Sequence, residues 1–312
     1  MKKSIAVRIL AFLMLIGSFS LFYTISAQAA VSAASNVAQT NAGKDSITVT
    51  WAPSKNASEY HIYCKEWEAS EYTLAGVTTG TEYTITGLKD GTKYYVQVKA
   101  SDGTEESYGA SVYNAVTLPS QVTGLRQERW WYFAHSLDLK WDKKSGVTGY
   151  EVTLSNSKGK VLRSQNAYAY ASGTTLYNLK DSVYTIKVRA YTAYNNNTYY
   201  SSYSSINCIP QARINKIQIK NKKLTFNWKK VDGATGYQIY VSMKPKKGYK
   251  LAKTVGKKTA GCTLAKIKGK KINPKKTYYV YVKTICKKGK KKGTSGALYY
   301  WSSKTGKYDY LS

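Results

Sequence analysis

The chain reads as an all-β protein, three β-sandwiches in tandem behind a signal peptide, and three observations predict this. A Trp followed nine residues later by a Tyr occurs at Trp51/Tyr60, Trp141/Tyr150 and Trp228/Tyr237, with the Trp residues 90 and 87 positions apart. One folding unit of sandwich size is therefore used three times. Around these markers apolar and polar residues alternate with period two, as in Ser46-Ile-Thr-Val-Thr-Trp51, and no stretch sustains a helical period. Each unit then carries a Leu or Ile, a tight turn, and Tyr-x-(Val/Ile)-x-Val: Leu88 to Tyr94, Leu179 to Tyr184, Ile272 to Tyr278.

Residues 1–29 are expected to be the signal peptide. Lys2, Lys3 and Arg8 form a basic start, Ile9 to Ile25 is mainly apolar, and Ala27-Gln28-Ala29 is a small-x-small cleavage pattern. The apolar run is nearly long enough to serve instead as an uncleaved anchor; no later stretch is long enough to span a bilayer. Tyr308-Asp-Tyr-Leu-Ser312 carries neither a hydrophobic tail nor a Leu-Pro-x-Thr-Gly sorting signal. The expected product is secreted, either released or held noncovalently at a cell surface.

The first unit, 30–118, has strands ending at Trp51, opening at Tyr60, running from Tyr83 and running from Tyr94 to Ala100. Leu118-Pro119-Ser120 closes it, because a proline cannot donate to a ladder. The second unit, 119–210, repeats the plan with Trp130-Trp131-Tyr132-Phe133 inserted between its first strand and Ser136, and ends at Ile209-Pro210-Gln211. In the third unit, 211–312, the Trp and the corner Tyr lie 50 residues apart, against 43 in the other two.

A Leu or Ile before a tight turn and a strand Tyr is the arrangement of a tyrosine corner, where the ring packs inward and the hydroxyl meets the backbone. With the strand B Trp and the strand C Tyr in order in every copy, the chain resembles three immunoglobulin-like fibronectin type III modules. The resemblance covers everything after the signal peptide. It implies spacers and binding surfaces and no particular activity. No Arg-Gly-Asp occurs, so the integrin binding of that family is not implied here.

Charge separates the copies. The formal net charge of +31 divides into −4 for residues 31–118, +6 for 119–210 and +26 for 211–312, the remainder lying in the leader. The third unit's cations are Lys except for Arg213, and its acids are Asp232 and Asp309 alone. Lysines are compact point charges suited to diffuse attraction by many phosphates or carboxylates, where arginine would give a bidentate fork. The alternative is a solvated basic face serving solubility. The densest run, Lys287, Lys288, Lys290, Lys291 and Lys292, reads as a hairpin loop by its flanking glycines. Further basic segments are Lys244 to Lys250 and the turn before Tyr278, with Lys266, Lys268, Lys270, Lys271, Lys275 and Lys276. Strand parity turns Tyr278, Val280 and Val282 inward and Tyr279, Tyr281, Lys283 and Tyr240 outward, an aromatic surface among lysines that would stack sugars or bases. Trp130, Trp131 and Tyr132 would form a glycan or partner platform if exposed; otherwise they pack on a neighbouring module.

Cys262 and Cys286 point inward near one end of the third unit by the same parity, where they would either form a disulfide or sit as small buried hydrophobes. Catalytic signatures are missing: His61, expected to face solvent, and His135 have no companions at metal-ligand spacing. No Gly-x-Ser-x-Gly or His-Glu-x-x-His occurs, and Glu66, Glu68 and Glu71 suit a solvated strand end better than an acid–base pair. No enzyme, cofactor, metal or small-molecule substrate is expected. The leading expectation is a noncatalytic binding or adhesion protein of a bacterial (Gram-positive type) surface, its third domain attached to an anionic cell-wall polymer or polysaccharide. Alternatives are a glycan-binding adhesin using the Trp and Tyr residues, extracellular nucleic acid as the anion, and a spacer whose partner is another protein.

Overall fold

The computed structural model describes residues 30–311 except Tyr132, Asn195, Asn196, Lys268, Gly289 and Lys290; the side chains of Tyr194, Lys288 and Lys291 are also outside the description. The expected signal peptide, Tyr132 and Lys290 thus lie outside the described residues. Among those described there is no helix. The alternation of the sequence becomes twenty-six strands around three cores.

In the first sandwich β1 (Ser35–Ala42), β2 (Ile47–Ala52) and β5 (Glu82–Ile85) make a sheet in the order β1-β2-β5. It faces β4 (Thr73–Thr78), β3 (Glu59–Glu66), β6 (Lys93–Ser101) and β7 (Ala110–Val116), ordered β4-β3-β6-β7. The second sandwich opposes β8 (Arg126–Trp131), β9 (Ser136–Lys140) and β12 (Gly173–Leu176), ordered β12-β9-β8, to β10 (Gly149–Ser155), β11 (Val161–Tyr168), β13 (Tyr184–Tyr194), β14 (Asn197–Tyr200) and β15 (Ser204–Cys208). There β13 is central and pairs with β10, β14 and β15.

The third sandwich pairs β16 (Ile214–Lys220), β17 (Lys223–Trp228) and β20 (Gly261–Leu264) as one sheet. The other sheet is β19 (Lys250–Gly256), β18 (Gly236–Ser242), β23 (Tyr279–Lys288), β25 (Tyr299–Ser302) and β26 (Tyr308–Tyr310), with β24 (Lys291–Thr294) on β23. Most of the extra length between Trp228 and Tyr278 is a small ribbon, β21 (Lys266–Ile267) with β22 (Lys270–Lys271). Strands β24 to β26 mean that the Lys287–Lys292 run is not a loop between the last two strands. Lys287 and Lys292 stand opposite each other in a ribbon extending the β23 edge.

Each marker residue serves the same purpose in all three copies. The Trp and Tyr rings meet at 5.3, 5.3 and 5.4 Å with planes 52–61° apart, a tilted geometry that suits aromatic quadrupoles. The hydroxyls of Tyr60, Tyr150 and Tyr237 accept the backbone N–H of Ser54, Lys144 and Val231 at 2.7–3.0 Å. The corner tyrosines do likewise: Tyr94, Tyr184 and Tyr278 accept from the N–H of Lys89, Lys180 and Asn273 at 2.8–3.0 Å. Nine residues of separation therefore place both a ring contact and a satisfied turn N–H in each core.

The two junctions are built alike. At the first, the corner turn of sandwich one meets the turn after Trp141: Ser120 N–H donates to Asp90 Oδ2 at 2.9 Å, and Lys144 Nζ lies 3.9 Å from that carboxylate. Thr192 Oγ1 donates to Thr117 O at 3.2 Å. A Cβ on Gly146 would stand 2.2 Å from Gly91 O, so only glycine lets the two turns approach. At the second junction Val183 N–H donates to Asp232 O at 2.8 Å, Asp232 N–H donates to Asp181 O at 2.9 Å, and Lys229 pairs with Asp181 at 2.9 Å. An Asp two residues after the corner Leu and a Lys after the Trp are the common parts.

Candidate functional site

Antiparallel connection sends successive turns of a sandwich to alternate ends. In the third unit Lys220 faces Lys223 at the β16–β17 turn, Leu224 pairs with Leu264 just before the β21–β22 ribbon, and Ser242 pairs with Tyr279 just before the β18–β19 turn. These three turns consequently share one end. The β25–β26 turn joins them, since Ser303 N–H donates to Tyr278 O at 2.8 Å. The turn that contacts the second sandwich, 229–235, lies at the opposite end.

This far end carries fourteen exposed lysines: 220, 222 and 223; 244, 246, 247 and 250; 266, 270, 271, 275 and 276; 304 and 307. Among the described residues none of them forms an ion pair, and the carboxylate that acts on them is Asp309, whose charge is felt by Lys246. Asp232 is at the other end and accepts from Ser182 Oγ at 3.2 Å, while Asp309 accepts from Tyr300 OH at 3.0 Å. Among the described residues the one ion pair made by this sandwich is Lys229 with Asp181. Cross-strand register instead sets lysine against lysine, Lys220 opposite Lys223, Lys266 opposite Lys271 and Lys287 opposite Lys292. Like charges placed directly opposite destabilise a hairpin. Between these turns lies a cleft of about 460 Å³ with Val241, Met243 and Ile267 on its floor and Lys250, Lys270, Lys271 and Lys276 around it. Asn221 and Lys222 both have positive φ, 51° and 54°, which is the tight hairpin geometry that keeps Lys220 and Lys223 adjacent.

The residues singled out in the sequence are partly redistributed. Tyr240, Tyr279, Tyr281 and Lys283 leave the core side of their strands as parity requires, yet they do not make an open platform. Tyr281 is only 7% exposed, because the rings of Tyr240 and Tyr249 pack against it. Tyr240 stacks on Tyr281 at 4.9 Å, Tyr249 contacts Tyr281 at 4.7 Å, and Tyr279 meets Tyr300 edge-on at 5.5 Å. Burial pushes the Tyr281 phenol up to about 12 and drives that of Tyr249 higher still. Lys283 is half-buried, its ammonium 5.7 Å from the Tyr240 ring centre.

Trp130 and Trp131 are not an exposed insert; they end strand β8. Trp130 is 6% exposed and packs in the second core against Tyr184, 6.0 Å away. Trp131 is half-buried and donates from Nε1 to Asp138 Oδ2 at 2.6 Å. Of that segment it is Phe133 that reaches the next module, stacking on Tyr308 at 4.6 Å and meeting Tyr299 edge-on.

No disulfide joins Cys262 and Cys286. Cys262 is buried opposite Phe226 in one sheet and Cys286 is half-buried opposite Gly293 in the other, so the two belong to opposed layers of the same core. His61 is likewise not simply solvent-facing. Its Nδ1 and Nε2 lie 2.5 Å from Glu106 Oε1 and 3.2 Å from Glu59 Oε1, and the Glu106 bond raises its pKa. Glu106 also accepts from Lys99 and Tyr63, at 2.8 and 2.7 Å, and these bonds, led by that of Lys99, hold its carboxyl down to about 2. Glu66 pairs with Lys89 at 2.7 Å, while Glu68 and Glu71 are exposed in the following turn.

Residues 32–113 match the fibronectin type III domain family. Similar solved structures include a two-domain fibronectin type III segment of chicken tenascin, 14% identical, covering 57% of this chain and 99% of that one at a TM-score of 0.39. The FN1–FN3 domains of chicken CNTN1 are 15% identical, covering 85% of this chain and 98% of theirs at a TM-score of 0.31. The fibronectin type III domain of the human collagen α-1(XX) chain is 18% identical, covering 31% and 95% at a TM-score of 0.27. No curated protein matches the chain. Domains of this family commonly mediate binding or spacing in extracellular proteins, and the tandem sandwiches described here have the architecture for either task.

Proposed function

We propose that this is a secreted, noncatalytic binding protein of a bacterial surface that attaches through its third sandwich to an anionic polymer of the cell envelope. The observation that carries the proposal is the register of lysine against lysine at three hairpins, none of these lysines being in an ion pair among the described residues. A fold that accepts such repulsion is stabilised when a polyanion supplies the missing charge. The far end leads the contact, its four turns gathering phosphates or uronates around the cleft, and the ribbon of Lys287 and Lys292 adds a second strip at the other end. The ammonium groups release counterions from the polymer as they bind, and this drives attachment without reading a sequence. The basic leader, apolar run and small-x-small site support export. The first two sandwiches, at net −4 and +6, are displayed outward by the repeated junctions.

The test is sedimentation of the full-length mature chain with purified Gram-positive cell walls, before and after acid extraction of the phosphodiester polymer, with duplex DNA as competitor. Binding that disappears on extraction and resists equimolar DNA phosphate supports the proposal. Binding that survives extraction overturns it, and displacement by DNA at equal phosphate would make nucleic acid the partner.

A further inference from the structure

The second sandwich has an aromatic feature that packing does not use. Tyr168 ends β11 and Tyr170 sits in the following turn; they are 73% and 70% exposed, and their rings lie 5.3 Å apart with planes 6° from parallel. Strand preference explains an exposed Tyr on a strand. It does not explain Tyr170, because turns favour Gly, Pro, Asn, Asp and Ser.

This turn is also held more firmly than its counterparts. Trp51, Trp141 and Trp228 each donate the backbone N–H to a carbonyl of the equivalent turn, that of Thr81, Ser172 or Ala260, at 2.9–3.0 Å. Only Trp141 adds its ring, Nε1–H donating to Ala171 O at 3.2 Å; the ring nitrogens of Trp51 and Trp228 are buried without a partner among the described residues. Ala171 N–H in turn donates to Tyr168 O at 3.0 Å. The backbone that carries the two tyrosines is thus tied to the core.

Beside them runs an open groove of about 780 Å³ across the outer face of β8, β9 and β12, within the range of about 300–1,000 Å³ of ligand clefts. Its floor is kept low by Gly173, where a Cβ would stand 2.3 Å from Leu139 O. The charges on it balance. Glu128 lies 3.7 Å from Lys140, and Asp138 is occupied by Trp131 Nε1–H and by Thr175 Oγ1–H at 2.8 Å. Exposed Asn166 and Ser172 add short polar groups along its length. Paired aromatic faces at the edge of a long, electrically balanced, hydroxyl- and amide-lined groove suit a ligand with flat apolar faces and equatorial hydroxyls.

We infer that this groove binds an extended, uncharged β-linked oligosaccharide, with sugar rings stacked on Tyr168 and Tyr170. The site is independent of the lysine-rich end. It relocates sugar recognition from Trp130 and Trp131, one buried and the other half-buried and bonded to Asp138, to a turn.

The experiment is isothermal titration calorimetry of the full-length mature chain with chitohexaose and with cellohexaose, in low salt and in about 1 M salt. The inference expects at least one of them to bind with an affinity that salt leaves within about twofold. Tyr168→Ala/Tyr170→Ala should weaken it by about tenfold or more, and Tyr168→Phe/Tyr170→Phe, which keeps the ring faces, should retain it. The exposed positions leave melting temperature and polymer retention unchanged in both variants. Absence of binding to both sugars, binding indifferent to the alanine pair, or binding abolished by salt overturns the inference.

Discussion

Reversing one lysine in each facing pair, Lys223→Glu, Lys271→Glu and Lys292→Glu, sets stability and attachment against each other. Each change turns a like-charge cross-strand pair, with Lys220, Lys266 or Lys287, into an opposite-charge one. Opposite pairs contribute about 0.2–1 kcal/mol and like pairs cost a similar amount, so three reversals should stabilise the third sandwich by roughly 1–6 kcal/mol at low ionic strength. For a unit of this size that is a rise of about 5 °C or more in its melting transition. Calorimetry of the full-length mature chain measures it, and in about 1 M salt, where the screening length is about 3 Å, the gain should vanish. Retention on phosphodiester polymer should fall in the same variant. A loss of stability at low salt, or a gain that salt does not remove, would refute the reasoning that these lysines repel one another.

Other consequences follow from single contacts. Tyr237→Phe leaves the buried N–H of Val231 without its acceptor and should cost about 1–3 kcal/mol in urea unfolding of the third sandwich. Phe133→Ala removes the ring stacked on Tyr308 and should widen the distribution of angles between the second and third sandwiches in small-angle scattering, with the core of each unit intact. The cluster around Glu106 makes the first sandwich sensitive to pH on both sides. Glu106 has a depressed folded pKa, so its contribution is present above about pH 4.5 and is lost as pH falls toward 2. His61 has a raised one, so its contribution is full below pH 6.5 and is lost as pH rises through the folded value. Stability of this unit should therefore peak between those limits, and Glu106→Gln should flatten the profile and lower the His61 pKa measured by NMR.

The fold was legible because its markers are physical necessities of each core. A Trp and a Tyr nine residues apart meet as rings, and the corner Tyr satisfies a turn N–H, so both had to recur wherever the sandwich recurs. Functional surface was less legible. Parity placed Tyr281 on the outer face correctly, but parity follows one strand and knows nothing of Tyr249, which comes from a loop to cover it. Trp130-Trp131 looked like an insertion because Tyr132 and Phe133 prolong the aromatic run, whereas alternation alone would have put Trp130 in the core. The lysine count was plain, yet the densest run in the sequence is not the largest cluster in the fold. The larger cluster is spread over four turns that a sandwich brings to one end, and counting turns alternately would have found it. Tyr168 and Tyr170 gave only one signal, an aromatic pair where a turn calls for Gly, Asn or Asp.

Attachment by unpartnered lysines is tested most directly by the salt dependence of the full-length mature chain's affinity for purified phosphodiester wall polymer. If about six to ten phosphates are neutralised, affinity should fall by roughly 10³–10⁵ between about 50 and 200 mM salt, and the charge-reversed variant should show a shallower slope. An affinity that holds constant across the series, or a slope the reversals do not change, would contradict it.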